Sequence, residues 1–318
     1  MLRTLARRLM QLVVVLVLVT FATALLTSFV RGDTAEVVAP FASDEQRAVI
    51  RHELHLDQPI HQRYVSWLGD FAQGDLGKIY TGPQTSVDVL DRVQDALPFS
   101  LRLMVYSQIL ALLLAIPLGV VTAYRAGSVF DRSANGIAFG VLAIPSFVAL
   151  LLMAYVLGVQ YDLFPATYDP KLTGLDGQLQ NYFIPTVSLA LGQIAIYLRL
   201  LRSDMIATLQ EDFITMAKAK GMSPSRILWR HALRPSSLVL LTVAGLNVGT
   251  LIGGAVVIEF LYAMPGMGVE IQKAIIGKQY VALQSYVAII ALGYIAVNVL
   301  VDLLYAVLDP RIRHARAA

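Results

Sequence analysis

The chain has 318 residues, 57% of them hydrophobic and only 15% charged, with a formal net charge of +3. A soluble domain carries about 45–50% apolar and about 25% charged residues, so this composition excludes an ordinary water-soluble globule and points to a membrane protein. No cysteine is present, which excludes disulfides, thiolate nucleophiles and cysteine-ligated metals, and so small a net charge is no argument for a nucleic-acid partner.

Crossing about 30 Å of hydrocarbon takes about 20 helical residues. Six stretches meet that length, near 9–30, 99–124, 134–159, 182–203, 236–262 and 281–308. The first follows Arg3, Arg7 and Arg8 and contains Ala22-x-Ala24, a pattern a signal peptidase could cut. Its apolar run is longer than the roughly 7–15 residues of a signal peptide, so it reads as an uncleaved span. Lysines and arginines of short loops mark the cytoplasmic side. Arg125 and Arg132, then Arg199, Arg202, Lys218, Lys220, Arg226, Arg230 and Arg234, and finally Arg311, Arg313 and Arg316 fall on the side of the N-terminal arginines. The short loops opposite hold only Lys171, Lys273 and Lys278. Both termini are therefore expected in the cytoplasm.

The chain then divides into an N-terminal tail with the first span (1–30), an extracytoplasmic helical segment (31–98) and a five-helix membrane core (99–318). The 31–98 segment has eleven Asp and Glu against six Lys and Arg, a net of −5. Ser43-x-x-Gln46 is a capping-box pattern opening a helix with Val49, Ile50 and Leu54 on one face. Ile60, Tyr64, Trp67, Leu68 and Phe71 recur at helical spacing until Gly69 and Gly74 break it, and Val87, Leu90, Val93 and Leu97 predict a third short helix. The second external loop, 160–181, carries Pro165, Pro170, Gly174 and Gly177 and reads as an irregular rim.

The longest cytoplasmic connection, 204–235, contains MAKAKGMSPSRILWRHALRP from Met216 to Pro235. Phe213 to Lys220 read as a helix ended by Gly221, after which Ser223 is placed to cap a second helix with Pro224 at its first position. Ala217 and Gly221 lie four apart and predict a small face that another backbone can approach. A DNA-binding elbow would need a third helix to complete its core. An amphipathic helix on anionic lipid suits the charges, and a helix docking into a cytoplasmic partner suits both the small face and the rigid elbow.

In the fifth span Gly245, Gly249 and Gly253 recur every four residues beside Asn247 and Thr250. Such a face serves helix packing first, and lining a translocation path second. Asn298 and Asp302 sit four apart in the last span, where a hydrogen-bonded structural role competes with a proton or substrate site. His52, His55 and His61 cluster outside without an evident third ligand on one face, so a solvated helix is favoured over metal capture. No metal site and no catalytic constellation of Ser, His and carboxylates stand out.

Taken together, these motifs resemble the permease subunits of binding-protein-dependent ABC importers, in the branch for dipeptides, oligopeptides and nickel. Ala217 and Gly221 match the second Ala and the Gly of that superfamily's cytoplasmic E-A-A-x3-G loop, while Thr215 and Met216 stand where Glu and the first Ala would be. Arg230-His231-Ala232-Leu233 is similar to the peptide branch. So are Leu56-Asp57-Gln58-Pro59-Ile60, Gly74-Asp75-Leu76-Gly77, Leu97-Pro98, Ile144-Pro145-Ser146-Phe147, Glu259 with Pro265-Gly266-Met267-Gly268, and Asp302 to Arg311.

The resemblance implies an all-α membrane protein with six transmembrane helices in the bacterial plasma membrane. It implies a second homologous permease, two ATPase subunits and an extracytoplasmic substrate-binding protein as partners, with no nucleic acid. The 31–98 segment is expected to contribute to the docking surface for that binding protein, or else to lie as a lid over the spans. Coupling to the ATPases falls on Met216, Ala217, Lys218, Ala219, Lys220, Gly221 and Met222, with Pro224, Arg226 and His231 supporting the elbow. No G-x4-G-K-[ST] occurs here, so ATP and magnesium are expected on the ATPases and no cofactor in this chain. Peptide is the expected substrate, nickel or another small solute the alternative, and a secondary transporter working without ATP the rival from another class.

Overall fold

The computed structural model describes residues 2–30, 32, 34–41, 43–53, 56–82 and 85–308. In chain order the first elements are α1 (Leu2–Ser28), α2 (Thr34–Val38), α3 (Asp44–Glu53), α4 (Ile60–Ala72), β1 (Lys78–Gly82) and β2 (Thr85–Asp88). There follow α5 (Val89–Tyr124), α6 (Val129–Leu142), α7 (Ser146–Met153), α8 (Gly174–Thr208), α9 (Asp212–Ala219) and α10 (Pro224–Arg226). The last are α11 (Leu233–Leu246), α12 (Val248–Leu261), α13 (Met267–Ile276) and α14 (Tyr280–Leu308). A π-helical segment, Ala154–Gln160, extends α7, and another, Ile227–Ala232, joins α10 to α11. The fold comprises two compact units, residues 1–100 with 265–295 and residues 101–264 with 296–318.

Among the described residues three helices are long and apolar enough to cross a bilayer: Val89–Tyr124, Gly174–Thr208 and Tyr280–Leu300. Two bent pairs bring the number to five if each pair is one span, and α1 adds a shorter apolar stretch, Val13–Ser28. The expected single helix over 134–159 is two helices meeting at 96°. The cause is Pro145, which has no N–H to donate and drives Ile144 out of the helical region. The expected helix over 236–262 is likewise bent, by 43°, at Asn247.

In the first unit the helices expected after Ser43 and from Ile60 form as α3 and α4, although Gly69 lies inside α4 and the chain turns at Gly74, φ +90°. The all-helical reading fails at residues 78–88, where β1 and β2 pair antiparallel with Ile79 opposite Val87 and Tyr80 opposite Ser86. Val87 therefore belongs to a strand, and Leu90, Val93 and Leu97 belong to the opening turns of the 36-residue α5, not to a separate short helix. The edge of β1 is occupied by a side chain. Gln279 donates to the Tyr80 carbonyl at 2.8 Å and accepts from its N–H at 3.1 Å, which blunts an otherwise free strand edge.

Aromatic side chains of α4 hold this unit together. Tyr64 meets Phe21 edge to face at 5.2 Å, and its hydroxyl bonds Thr20 Oγ1 and the Val17 carbonyl. The Trp67 indole donates to Ser285 Oγ at 2.9 Å, and that hydroxyl donates onward to the Leu76 carbonyl. The segment after Pro265, expected as a loop, contains the ten-residue helix α13, whose Met267 N–H donates to Ser100 Oγ.

The second unit is organised on α8, against which α6, α7, α11 and α12 pack. Tyr197, Leu198, Leu201 and Met205 of α8 are buried with Ala111, Ala115, Val120 and Ala123 of α5. Small residues set the approach: a Cβ on Gly119 would lie 3.0 Å from Leu201, and one on Gly254 would lie 2.7 Å from Leu189. The rim expected over 160–181 is irregular only up to Thr173, where α8 begins. It is tied down by Asn181, which exchanges two 2.9 Å hydrogen bonds with the Asp169 backbone.

Candidate functional site

The elbow between α8 and α11 is built as the residue pattern predicts, with two differences. α9 opens with Asp212 in its first turn, where a carboxylate favours the helix dipole, and closes on Gly221 at φ +69°. The Met222 N–H donates to the Ala217 carbonyl at 3.2 Å and the Gly221 N–H to the Lys218 carbonyl at 3.0 Å. This pair of bonds is a Schellman closure: it satisfies the orphan carbonyls of the last turn and requires a left-handed residue at Gly221. Pro224 then starts the next helix.

The first difference is at Ser223, which occupies the cap position but makes no side-chain cap bond; its carbonyl alone accepts, from Ile227 N–H at 3.1 Å. The second is at Ala217. It does not share an open small face with Gly221, because it is buried in this chain's own core with Ile214, Ile227 and Leu228. The helical period explains this: Ile214 and Ala217 lie three apart and turn inward together. The outward face carries Phe213 and Met216, 42% and 60% exposed, with Thr215, Lys218, Ala219, Lys220 and Gly221 also in solvent. Pro224, Arg226 and Trp229 are exposed on the next helix, and His231 and Met222 are half-buried. Phe213 was missing from the expected set; its three-residue spacing from Met216 was the available signal.

The base of the elbow is fastened twice. Thr208 Oγ1 and Ser236 Oγ lie 3.1 Å apart, joining the end of α8 to α11. Six residues earlier Arg202 grips the buried carboxylate of Asp131 with Nε and with Nη2, the latter at 2.7 Å. Asp131 also accepts from Gly127 N–H and Asn135 Nδ2, both at 2.8 Å. Reading Arg202 only as a topology-setting charge hid this pair, since its carboxylate lies 71 residues away.

The glycine face of the fifth span is divided by the bend. Gly245 is buried at the end of α11, and Asn247 and Gly249 are half-buried at the junction. Gly253 is exposed with nothing near its missing Cβ, whereas Gly254 makes the close contact with α8. Around Asn247 lies a polar cluster that sequence reasoning missed. Gln193 Nε2 donates to Thr250 Oγ1 at 3.0 Å, Thr250 donates to the Asn247 carbonyl at 2.7 Å, and the Tyr197 hydroxyl donates to Gln108 Oε1 at 3.2 Å.

Other candidates are not brought together. Asn298 is half-buried on α14, and the side chain of Asp302 lies outside the described residues, as do residues 309–311 of the C-terminal motif. His52 is exposed with Nδ1 3.3 Å from Asp57, His61 is exposed, and His55 lies outside the described residues. Among the described residues no group of three His, Asp or Glu is placed to hold a metal ion.

A largely helical, apolar chain with several bilayer-length helices defines an integral helical membrane protein. Residues 115–314 match the family described as binding-protein-dependent transport system inner membrane component, and residues 1–104 match the family of its N-terminal part. The chain belongs to this family. It is 33% identical over 97% of its length to a probable peptide ABC transporter permease of Sinorhizobium fredii, covering 98% of that protein. It is 32% identical to the di/tripeptide transport system permease DppB of Pseudomonas aeruginosa and 31% identical to the dipeptide transport system permease DppB of Escherichia coli, in both cases over 99% of this chain and 100% of the relative. A solved structure of the MetNI methionine ABC transporter in an inward-facing conformation shares the fold, with a TM-score of 0.56 at 17% identity, over 69% of this chain and 97% of that one.

Proposed function

We propose that this chain is one of the two membrane-spanning subunits of an ATP-driven importer of short peptides in a bacterial inner membrane. It crosses the bilayer six times with both termini inside, works with a second permease, two ATPases that hold ATP and magnesium, and an extracytoplasmic binding protein, and itself carries out no hydrolysis. The peptide substrate class is supported by the full-length match to relatives named as peptide, dipeptide and di/tripeptide permeases. The cytoplasmic position of the elbow is supported by the arginines and lysines gathered there.

The observation that carries the reading is the elbow. Its backbone closes on itself at Gly221 while Phe213, Met216 and Lys220 face outward, the shape needed to be seized by an ATPase and to pass its movement on as a rigid body. Met216 through Met222 are the coupling segment, with Ala217 as its internal packing residue and Pro224, Arg226 and His231 at its outgoing side. Gly245, Asn247, Gly249, Gly253, Asn298 and Asp302 serve the path or helix packing.

The test is Gly221→Leu, which forces a bulky side chain with a Cβ into a left-handed position, φ +69°. The variant inserts normally, and peptide uptake falls at least tenfold while the ATPases either fail to associate or hydrolyse ATP uncoupled from uptake. Normal uptake removes the coupling assignment. Uptake that persists when the ATPases are deleted makes the chain a secondary transporter instead.

A further inference from the structure

Within the second unit the bend between α11 and α12 coincides with two polar atoms left without partners. Gln193 is 7% exposed, its Nε2 engaged by Thr250, and its Oε1 accepts no hydrogen bond. The Asn247 carboxamide approaches the Tyr197 hydroxyl, yet its buried Nδ2 completes no hydrogen bond. In a helix crossing hydrocarbon no bulk water is at hand to satisfy such atoms, and native proteins keep few of them without a use. One is an acceptor and the other a donor.

We propose that Gln193, Asn247 and Thr250 form a recognition station for the peptide group of a transported peptide, Gln193 Oε1 accepting from the substrate N–H and Asn247 Nδ2 donating to its carbonyl. A peptide group presents one donor and one acceptor on opposite edges of a plane, the complement of what the cluster leaves open. The surroundings suit variable side chains. Thr250 is the exposed end of the hydrogen-bonded chain, and next to it along α12 come Gly253, which leaves open space, and the exposed Val257 and Phe260. Gln193 points toward this face through its bond to Thr250, so a peptide reaches the cluster by displacing that bond. The bend at Asn247 is the place where α12 can shift to uncover it, as helix breaks do at the binding sites of other membrane transporters. The inference rests on the peptide-importer reading above and adds the atoms that read the substrate.

The test uses the complete importer in proteoliposomes, with binding protein saturated in turn by alanyl-alanine and by its ester analogue, which lacks the N–H. Wild type moves the amide about tenfold faster than the ester, the worth of one well-made hydrogen bond. Gln193→Met brings the ratio close to one, and Asn247→Leu slows both substrates about tenfold while keeping the ratio. A ratio that survives Gln193→Met, or wild type that moves both equally, overturns the station but leaves peptide import standing. Wild type that moves neither overturns the substrate class itself. Because the chain has no cysteine, Thr250→Cys offers a second measurement should the Gln193 variant fail to assemble. Labelling of this chain by a small methanethiosulfonate is slowed several-fold by alanyl-alanine, and labelling indifferent to the peptide overturns the proposal.

Discussion

Gly221 and Asn247 interrupt the same stretch of helix at its two ends, and they do so by opposite means. At Gly221 the backbone takes a conformation that L side chains rarely adopt, φ +69°, and the Schellman bonds from Gly221 and Met222 satisfy the carbonyls that the turn leaves open. At Asn247 the backbone is ordinary, φ −72° and ψ −8°, but the side chains around it leave a donor and an acceptor unmet. A break whose hydrogen bonds close on themselves is a shape for another protein to grip. One that leaves polar atoms open in an apolar setting is chemistry waiting for a ligand. The rod between them, α10 to α11, is continuous through its π-helical turn, so under the coupling role proposed for the elbow a push received at the first break would be delivered to the second.

The comparison is broken most severely at the base of the elbow. Asp131→Ala leaves Arg202 without its bidentate partner beside the membrane, and losing one member of a buried pair costs about 3 kcal/mol. The apparent melting temperature of the purified complex falls, and uptake falls with it; an unchanged melting curve means that the pair does not hold α6 to α8. The next effect separates two neighbouring glycines. Gly254→Val drives its side chain into Leu189, where a Cβ alone would already lie at 2.7 Å, and overpacking costs about 1–3 kcal/mol. Gly253→Val meets open space and changes stability by less than about 0.5 kcal/mol, while narrowing the face beside Thr250 and slowing transport of bulky peptides. Equal destabilisation by the two variants, read from thermal unfolding in detergent, defeats the division of that face into packing and open sides.

The two breaks were unequally legible in the sequence. The elbow could be read because its geometry is written in local chemistry: Gly221 is the residue that tolerates the left-handed turn, and Pro224 is at home in a first helical turn. Even there the pattern misled at Ala217, since a small residue suits a close external contact and a crowded interior equally well, and only the inward partners Ile227 and Leu228 decide between them. The bend at Asn247 was hidden by an apolar run that continues across it, and the cluster by its dispersal over α5, α8 and the α11–α12 junction, where single amides look unremarkable. Pro145 was visible, yet its 96° consequence was not, because a proline in a span can kink a helix or end it according to what packs around it. The hairpin at 78–88 escaped because its strands are four and five residues long, too short for alternation to stand out. The helical segment before it was legible because Tyr64, Trp67 and Phe71 recur at helical spacing.

The effect at Asn247 has the most telling sign. Asn247→Leu removes a buried amide whose Nδ2 is unpartnered and replaces it with an apolar side chain of similar reach. The Thr250 hydroxyl keeps its bond, because it donates to the backbone carbonyl of residue 247 and not to the side chain. Deleting an unsatisfied buried donor relieves a desolvation cost of about 1 kcal/mol, and an amide in an apolar span is unfavourable besides. The variant is therefore expected to melt slightly higher than wild type while transporting peptide more slowly. Stability and transport moving in opposite directions is the signature of a residue kept for its ligand and not for its packing. If the variant melts lower, Asn247 is a structural partner of Tyr197 and the second break closes on itself as the first does.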